Sequence, residues 1–549
     1  MKKVLLTAIN SQFIHSNLAV RYLKAYTEDL DLEIKIREFS INDRIERVFE
    51  QIMHEKPDIV AFSCYIWNGE YVDKLGTLIK KVDENIQILY GGPEVSFDCR
   101  KFLLNSVGDF LIEGEGEETF REFLKWKLQN GFYRRDILIK GLYSKTQNNE
   151  ILFGGEREAM DMNTLVFPYK EDDDLSNKIV YYESSRGCPF NCKYCLSSTI
   201  KGVYFLDVNR VKKELKFFVD KKVTIVKFVD RTFNANPKFA MEIWKYLMEL
   251  DTETVFHFEI TADIVTEEEI ELLKHAPKGR FQFEVGVQST NNQVLRNVNR
   301  FIEFKDIKKI VMAIKEGNNI NQHLDLIVGL PGEDFESFRN SFNDVYSIKP
   351  EKLQVGFLKL LKGSSMRQEA EKWGMSYSPY HPYEILKTRD MNFYEIMKLK
   401  RVDAVVDKYY NTGKFNNIIK FMISKFDNPF DFYYALSKYF YDKGYFYRNI
   451  SSANYYKVFL DFNSEILHED NSVLEEIVKF DYLKFNKRSW LPPFLHRLNV
   501  KEEEQEIKEK LKEQNKFDKH IHIEKFNIDI NKYINDGKVE TKEMYYIFE

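Results

Sequence analysis

The stretch ESSRGCPFNCKYCLSS, residues 183–198, sets Cys188, Cys192 and Cys195 inside eight residues. The chain has 549 residues and only five cysteines, so most of its thiols sit in one short loop. A trio and two scattered cysteines do not make a disulfide framework. A structural zinc site calls for a fourth Cys or His at short spacing, and none lies nearby. Chance clustering of buried thiols is the bland alternative. Three thiolates spaced CxxxCxxC on a tight loop suit three irons of a [4Fe–4S] cluster, whose fourth iron is then open to a chelating amine and carboxylate.

The sequence around the trio tells where that loop lies. KIVYYESSRG (178–187) reads as a strand running into it. VTIVKFVD (223–230), VFHFEITAD (255–263), RFQFEVGVQS (280–289), HLDLIVGLPG (323–332) and LQVGFLKLL (353–361) follow as further strands. Helical stretches such as PKFAMEIWKYLMEL and FKDIKKIVMAIKEG separate them. Six such units predict a partial (β/α)6 barrel over 178–363, with its working face at the carboxyl ends of the strands.

Upstream, VLLTAIN (4–10), LEIKIREFS (32–40), IVAFSCYIW (59–67), IQILYGGP (86–93) and FLIEGEGE (110–117) alternate with amphipathic helices. Five strands with helical crossovers predict a doubly wound, Rossmann-like α/β domain over 1–130. GLYSKTQNNEILFGGE reads as a small hairpin, within a hairpin and linker spanning 131–177. Helical patterns rich in Tyr, Phe and Lys dominate 364–549. There His520 and His522 alternate in a strand-like run, and the aromatic stripes read as buried helix faces or as platforms for RNA bases.

Composition excludes several classes. The charge of −5 favours neither nucleic acid nor a membrane surface. No run approaches the roughly 20 apolar residues of a membrane span, and the N-terminus lacks a signal-peptide pattern. The expectation is a cytoplasmic monomer with no membrane partner.

CxxxCxxC with an aromatic before its last cysteine, Tyr194, at the head of a barrel resembles the radical SAM superfamily. The likeness implies a [4Fe–4S] cluster held by Cys188, Cys192 and Cys195. It implies that S-adenosylmethionine is cleaved there to a 5'-deoxyadenosyl radical. It puts VDRTFN, around Asp230 to Phe233, where the family holds the methionyl amine by backbone contacts, although the usual GGE is absent. It puts Gln288 and Ser289 by the ribose, Gly329 and Gly332 by the adenine, and Glu259 and Asp263 at the third strand's end, toward cofactor or substrate.

The resemblance extends upstream. LYGGP and EGEGEETF in a doubly wound domain before such a barrel are similar to cobalamin-binding radical SAM enzymes. FIHSNLAVRYL, FVDRTFNAN and GFLKLLKG are most like the subgroup with an uncharacterised C-terminal DUF4080 domain. This implies cobalamin near Ser63, Gly91, Gly92, Gly114 and Gly116, where missing side chains let a ligand approach the backbone. His15 lies in the loop that often ligates cobalt, but Phe13 and Leu18 stand where that motif has Asp and Gly. Without a carboxylate to orient the ring, His15 is expected as a hydrogen-bonding residue near the corrin.

The implied reaction is methylation of an unactivated carbon through methylcobalamin, in a low-oxygen setting, with an external donor such as flavodoxin or ferredoxin. The substrate, whether small molecule, peptide or RNA, is not legible. Radical rearrangement or cyclisation without methyl transfer, RNA modification, and a non-catalytic cobalamin sensor remain alternatives. Methylthiolation needs a second three-cysteine cluster, which Cys64 and Cys99 do not supply.

Overall fold

Val4, Leu6 and Ala8 are buried on one face of the first strand, and Leu5 and Ile9 on the other. A strand apolar on both faces needs cover on both, which places it inside a parallel sheet. The computed structural model, which describes residues 1–200, 202–488, 490–513 and 521–548, shows that arrangement. β1 (Lys3–Asn10) pairs in parallel with β2 (Glu33–Ser40) and β3 (Ile59–Ser63). β4 (Gln87–Gly91) and β5 (Phe110–Ile112) extend the sheet beyond β3. Helices α1 (Leu18–Ala25) and α5 (Glu117–Asn130) cover one face. α2 (Ile45–His54), α3 (Gly69–Val82) and α4 (Cys99–Asn105) cover the other. The domain is doubly wound, as its alternation implied.

The expected hairpin forms as β6 (Leu142–Lys145) and β7 (Ile151–Phe153), but it does not stand apart in a connection. β6 pairs antiparallel with β5 and β7 with β6, so the first sheet has seven strands. Pairing satisfies the edge of β5, which would otherwise expose its backbone groups.

The second series begins with β8 (Ile179–Tyr182). A ribbon of β9 (Ser185–Gly187) and β10 (Val203–Phe205) follows, paired antiparallel. Next come α6 (Val208–Asp220), β11 (Ile225–Phe228), α7 (Pro237–Glu249), β12 (Val255–Ile260), α8 (Glu267–Lys274) and β13 (Phe281–Gln288). β8, β11, β12 and β13 lie side by side in parallel. α9 (Asn292–Asn297), α10 (Phe304–Lys315), β14 (Asn321–Val328), α11 (Phe335–Ile348) and β15 (Lys352–Phe357) complete the six strands of a partial barrel.

The chain packs as two compact units. One comprises Met1–His323, Gly329–Glu333 and Phe357–Asp390; the other comprises Leu324–Val328, Asp334–Gly356 and the residues from Met391 onward. The second unit is mostly helical. Its aromatic stripes are core: Tyr409, Tyr433, Phe440 and Phe459 are buried. His522 lies on a terminal hairpin, 2.9 Å from Glu524; His520 falls outside the described residues. No helix among the described residues is long and apolar enough to cross a membrane.

Two features fix the first unit around its loops. Gly92 has φ +111°, and a Cβ there would stand 2.5 Å from the Cys64 carbonyl oxygen. Its missing side chain therefore serves a chain crossing. Asp230, following β11, is fully buried. Its carboxylate accepts from Ser184 N at 2.9 Å and from the Ser184 and Ser185 hydroxyls at 2.6 Å each, pinning the bend between β8 and β9. Both carboxylate oxygens are thus engaged by the chain itself, which leaves the backbone of this turn for the expected methionyl contact. The ring of Phe233 is likewise core, packed on Phe228, Trp244 and Phe258. In VDRTFN, what is left for a ligand is backbone, the Thr232 hydroxyl and the exposed Arg231.

Gly92→Ala should lower unfolding free energy by about 3 kcal/mol, since strain and overlap coincide; thermal denaturation checks it. Burial pushes the Asp230 carboxyl up from 3.8 to about 7, against the hydrogen bonds from Ser184 and Ser185. The folded state then holds this proton more tightly than the unfolded chain. Its stabilising contribution is full below about pH 4 and is lost as pH rises toward 7. Asp230→Asn should flatten that part of a stability profile measured by denaturant titration between pH 4 and 8.

Candidate functional site

The cysteine loop hangs from the β9–β10 ribbon, where Gly187 faces Val203. Gly187 has φ +101°, and a Cβ there would come within 2.2 Å of the Gly202 carbonyl oxygen. The glycine before Cys188 therefore allows the chain to leave β9 and return at Gly202 in close contact. Cys195 N donates to Cys192 O at 3.1 Å, giving the tight turn that separates the last two thiols. From outside, Lys193 N donates to Val298 O at 3.1 Å, and Met366 N donates to Lys193 O at 2.9 Å. The Lys193 ammonium lies 2.8 Å from Glu369.

All three thiols are free and partly exposed. The Cys188 sulfur lies 3.3 Å from the Thr232 hydroxyl. Burial pushes the Cys192 thiol up, while the charge of Arg300 pulls it back. Among the described residues no three Cys, His, Asp or Glu side chains converge tightly enough to hold one metal ion. Three thiols spread over one loop fit a cluster, in which each takes its own iron.

Beside the loop, Arg300 is a functional candidate the sequence reading did not single out. Its Nη2 donates to Gly286 O at 2.8 Å and its Nη1 lies 3.5 Å from the Tyr194 hydroxyl, while its buried Nε has no partner among the described residues. Gln288, at the end of β13, has φ +72°, an uncommon conformation for a non-glycine residue, and its buried Oε1 has no partner among the described residues. Strain and an unsatisfied buried acceptor thus coincide at one residue. Ser289 is different: its hydroxyl donates to Glu333 of the GLPGE turn at 2.6 Å and accepts from Asn291 N at 3.1 Å. In that turn Gly329 (φ +89°) packs on Ile385, and Gly332 (φ +86°) donates its N–H to Asp390 at 3.0 Å.

The barrel interior is polar. Phe256, Phe258, Phe281 and Phe283 are buried, and the alternate residues His257, Glu259, Gln282 and Glu284 occupy the opposite face of the strands. Lys227 lies 3.1 Å from Glu284 and 3.9 Å from Glu259, and His257 lies 3.0 Å from Glu284. Burial raises Glu259; Glu284, despite its burial, is held below the carboxylate range by His257 and Lys227. Asp263 accepts from the Thr261 hydroxyl at 2.8 Å. The signal for this lumen was the Phe–polar alternation of VFHFEI and FQFEVGVQ.

At the carboxyl edge of the first sheet, the Ser63 hydroxyl is buried and makes no hydrogen bond of ordinary geometry, with the Tyr65 hydroxyl beside it. Gly114 (φ +70°) would meet nothing within 4 Å, and its N–H donates to the Ser96 hydroxyl. A Cβ on Gly91 would only touch Ile112 at 3.9 Å, and one on Gly116 would touch Leu23 at 3.4 Å. His15 is drawn toward the barrel. Its loop bridges Ile179, and its Nδ1 lies 2.7 Å from the Tyr181 hydroxyl. Burial, with the charges of Lys227 and Lys178, lowers its pKa. Arg186 joins the sheet to the cysteine loop: its guanidinium meets Glu115 at 3.0 Å, Glu117 at 2.9 Å and Glu183 at 2.8 Å. Two acidic residues of EGEGEE, Glu115 and Glu117, thus face the residue two before Cys188.

Three family models match the chain in order: "B12 binding domain" over residues 4–124, "Radical SAM superfamily" over 182–345, and "Protein of unknown function (DUF4080)" over 371–548. The cobalamin-dependent radical SAM methyltransferase TokK of Streptomyces tokunonensis is 24% identical over 352 residues, 60% of this chain and 51% of TokK. The 2-(S-pantetheinyl)-carbapenam-3-carboxylate methyltransferase of Streptantibioticus cattleyicolor is 26% identical over 312 residues, 53% of this chain and 45% of that protein. The chain thus spans about half the length of these relatives. Among solved structures, the radical SAM enzyme OxsB, with aqua-cobalamin and S-adenosylmethionine bound, shares the fold at TM-score 0.59 and 14% identity, over 94% of this chain and 75% of its own. TsrM of Kitasatospora setae, with cobalamin and a [4Fe–4S] cluster bound, does so at 0.57 and 15% identity, over 70% of this chain and 79% of its own. The cofactors of this domain pair are S-adenosylmethionine with a [4Fe–4S] cluster, and cobalamin. The chain thus carries, in this order, a B12-binding domain, a radical SAM domain and a DUF4080 region.

Proposed function

We propose that this chain methylates an unactivated carbon as a cobalamin-dependent radical SAM enzyme. The observation that carries the reading is the cysteine loop itself: three free thiols on a glycine-closed loop, its base tied through Arg186 to carboxylates beyond β5 of the B12-type sheet. That the relatives TokK and the carbapenam enzyme are methyltransferases supports the choice among radical chemistries. When bound, the cluster and S-adenosylmethionine supply a radical that takes hydrogen from carbon, and cobalamin supplies the methyl group.

Cys188, Cys192 and Cys195 would hold the cluster, with Thr232 beside the first thiol. Arg300 offers a buried cation to a carboxylate, and Gln288 offers its unpaired oxygen to a donor on the same ligand. Gly329 and Gly332 shape the turn against which the adenine would lie. Ser63, with Gly91, Gly92, Gly114 and Gly116, would line the cobalamin crevice. The hydrogen bond of His15 to Tyr181 supports a role in holding the loop rather than ligating cobalt. Lys227, Glu259, Glu284 and His257 give the lumen matched donors and acceptors, which suit a polar substrate, whether small molecule, peptide or RNA. The enzyme would work as a monomer in a low-oxygen cytoplasm with a one-electron donor such as flavodoxin or ferredoxin.

Anaerobically prepared protein should carry about four irons per chain, and S-adenosylmethionine with a reductant should yield 5'-deoxyadenosine. Cys188→Ala should lose the cluster absorbance and the 5'-deoxyadenosine together; full turnover without that thiolate would end the proposal. With substrate present, S-adenosylhomocysteine should appear beside 5'-deoxyadenosine, whereas 5'-deoxyadenosine alone would mark a reaction without methyl transfer. His15→Ala should retain cobalamin and its visible spectrum; loss of both would make His15 a ligand.

A further inference from the structure

The first unit also carries an open, mainly polar cavity of about 550 Å³, within the size range of small-molecule sites. One wall is the turn after β4, with Phe97 and Asp98, together with Glu113 after β5. The other is the segment after β15, with Lys362, Arg367 and Tyr377. This second wall also braces the cysteine loop, through Met366 N to Lys193 O and through Glu369 to the Lys193 ammonium. A molecule in the cavity lies against a segment that touches the residue between Cys192 and Tyr194.

The charges of the lining are unevenly matched. Lys362 is paired at 2.7 Å with Glu94, a buried carboxylate that also accepts from His381 and the Tyr383 hydroxyl. Arg367 has no carboxylate partner among the described residues. Its guanidinium lies over the rings of Tyr377 and Tyr383, at 5.3 and 4.8 Å, and only Nη1 is engaged, with Leu360 O at 3.0 Å. Across the cavity, Glu113 accepts from two neutral donors, the Cys99 thiol at 3.5 Å and the Tyr143 hydroxyl at 3.4 Å, and has no cationic partner among the described residues. A planar guanidinium braced by aromatic rings keeps its fork for a carboxylate. A partly buried carboxylate without a cation favours an ammonium. Phe97 and Tyr377 add aromatic surface to the lining.

We propose that this cavity receives the polar end of the substrate as a zwitterion, an amino-acid-like group whose carboxylate meets Arg367 and whose ammonium meets Glu113. The inference rests on the enzymatic reading above, but its test needs binding alone and survives a failure of methyl transfer. Isothermal titration of the cobalamin- and cluster-loaded protein would use L-phenylalanine, 3-phenylpropanoate (no ammonium) and phenethylamine (no carboxylate). L-Phenylalanine should bind roughly tenfold more tightly than either, one charged contact being worth about that factor. In Arg367→Gln the preference over phenethylamine should vanish, and in Glu113→Gln the preference over 3-phenylpropanoate should vanish, while Arg367→Lys should restore part of the first. Equal affinity for all three probes, no binding at millimolar concentration, or variants indistinguishable from the parent would overturn the assignment. So would binding confined to protein without cobalamin, which would give the cavity to the cofactor.

Discussion

Arg186 meets three carboxylates from two parts of the chain, two beyond β5 and one beside β8. A guanidinium so placed is stable only while its partners stay, since a buried charge left alone costs about 3–5 kcal/mol. The surrounding acids keep it charged in spite of burial. This pairing fixes where the strand leading into the cysteine loop begins relative to the first sheet. The residues proposed to hold the cluster and cobalamin sit on loops, and radical chemistry of the proposed kind tolerates little error in their placement. The charge cluster converts two loops into one rigid object.

The first sheet was legible because its strands are apolar on both faces and its helices on one, so period and burial agree. The hairpin at its edge was legible as a hairpin but not as part of the sheet, because turn chemistry is local and strand partnership is not. The cysteine loop could be read because CxxxCxxC carries its geometry in its spacing. Asp230 and Ser289 show the opposite case. Nothing in the sequence at a strand end says that a polar side chain also ties the chain to itself, as these two do. Arg300 was missed because its role depends on meeting Tyr194 and Gly286, which only the fold brings near.

The polar lumen shows the same limit from another side. Phe256 and Phe258 face the helices, and the residues alternating with them must face inward, so the presence of charge there follows from period alone. Which charges meet depends on strand register. Lys227 stands opposite His257, while Glu259 stands opposite Glu284. A slip of one residue would turn the phenylalanines into the barrel and the ions into the helix layer. The buried aromatic layer therefore fixes the interior electrostatics without touching them.

The segment Phe357–Asp390 packs with the first unit, yet the DUF4080 match begins at residue 371. Kinship and packing thus draw different borders. Tyr377, His381, Tyr383 and Asp390 descend with the tail but work beside the cavity, Glu94 and Gly332. An exchange of tails between relatives would carry part of the cavity wall with it. Under the proposed function, the inherited module is then a means of changing what the chain accepts while its cysteine loop stays the same.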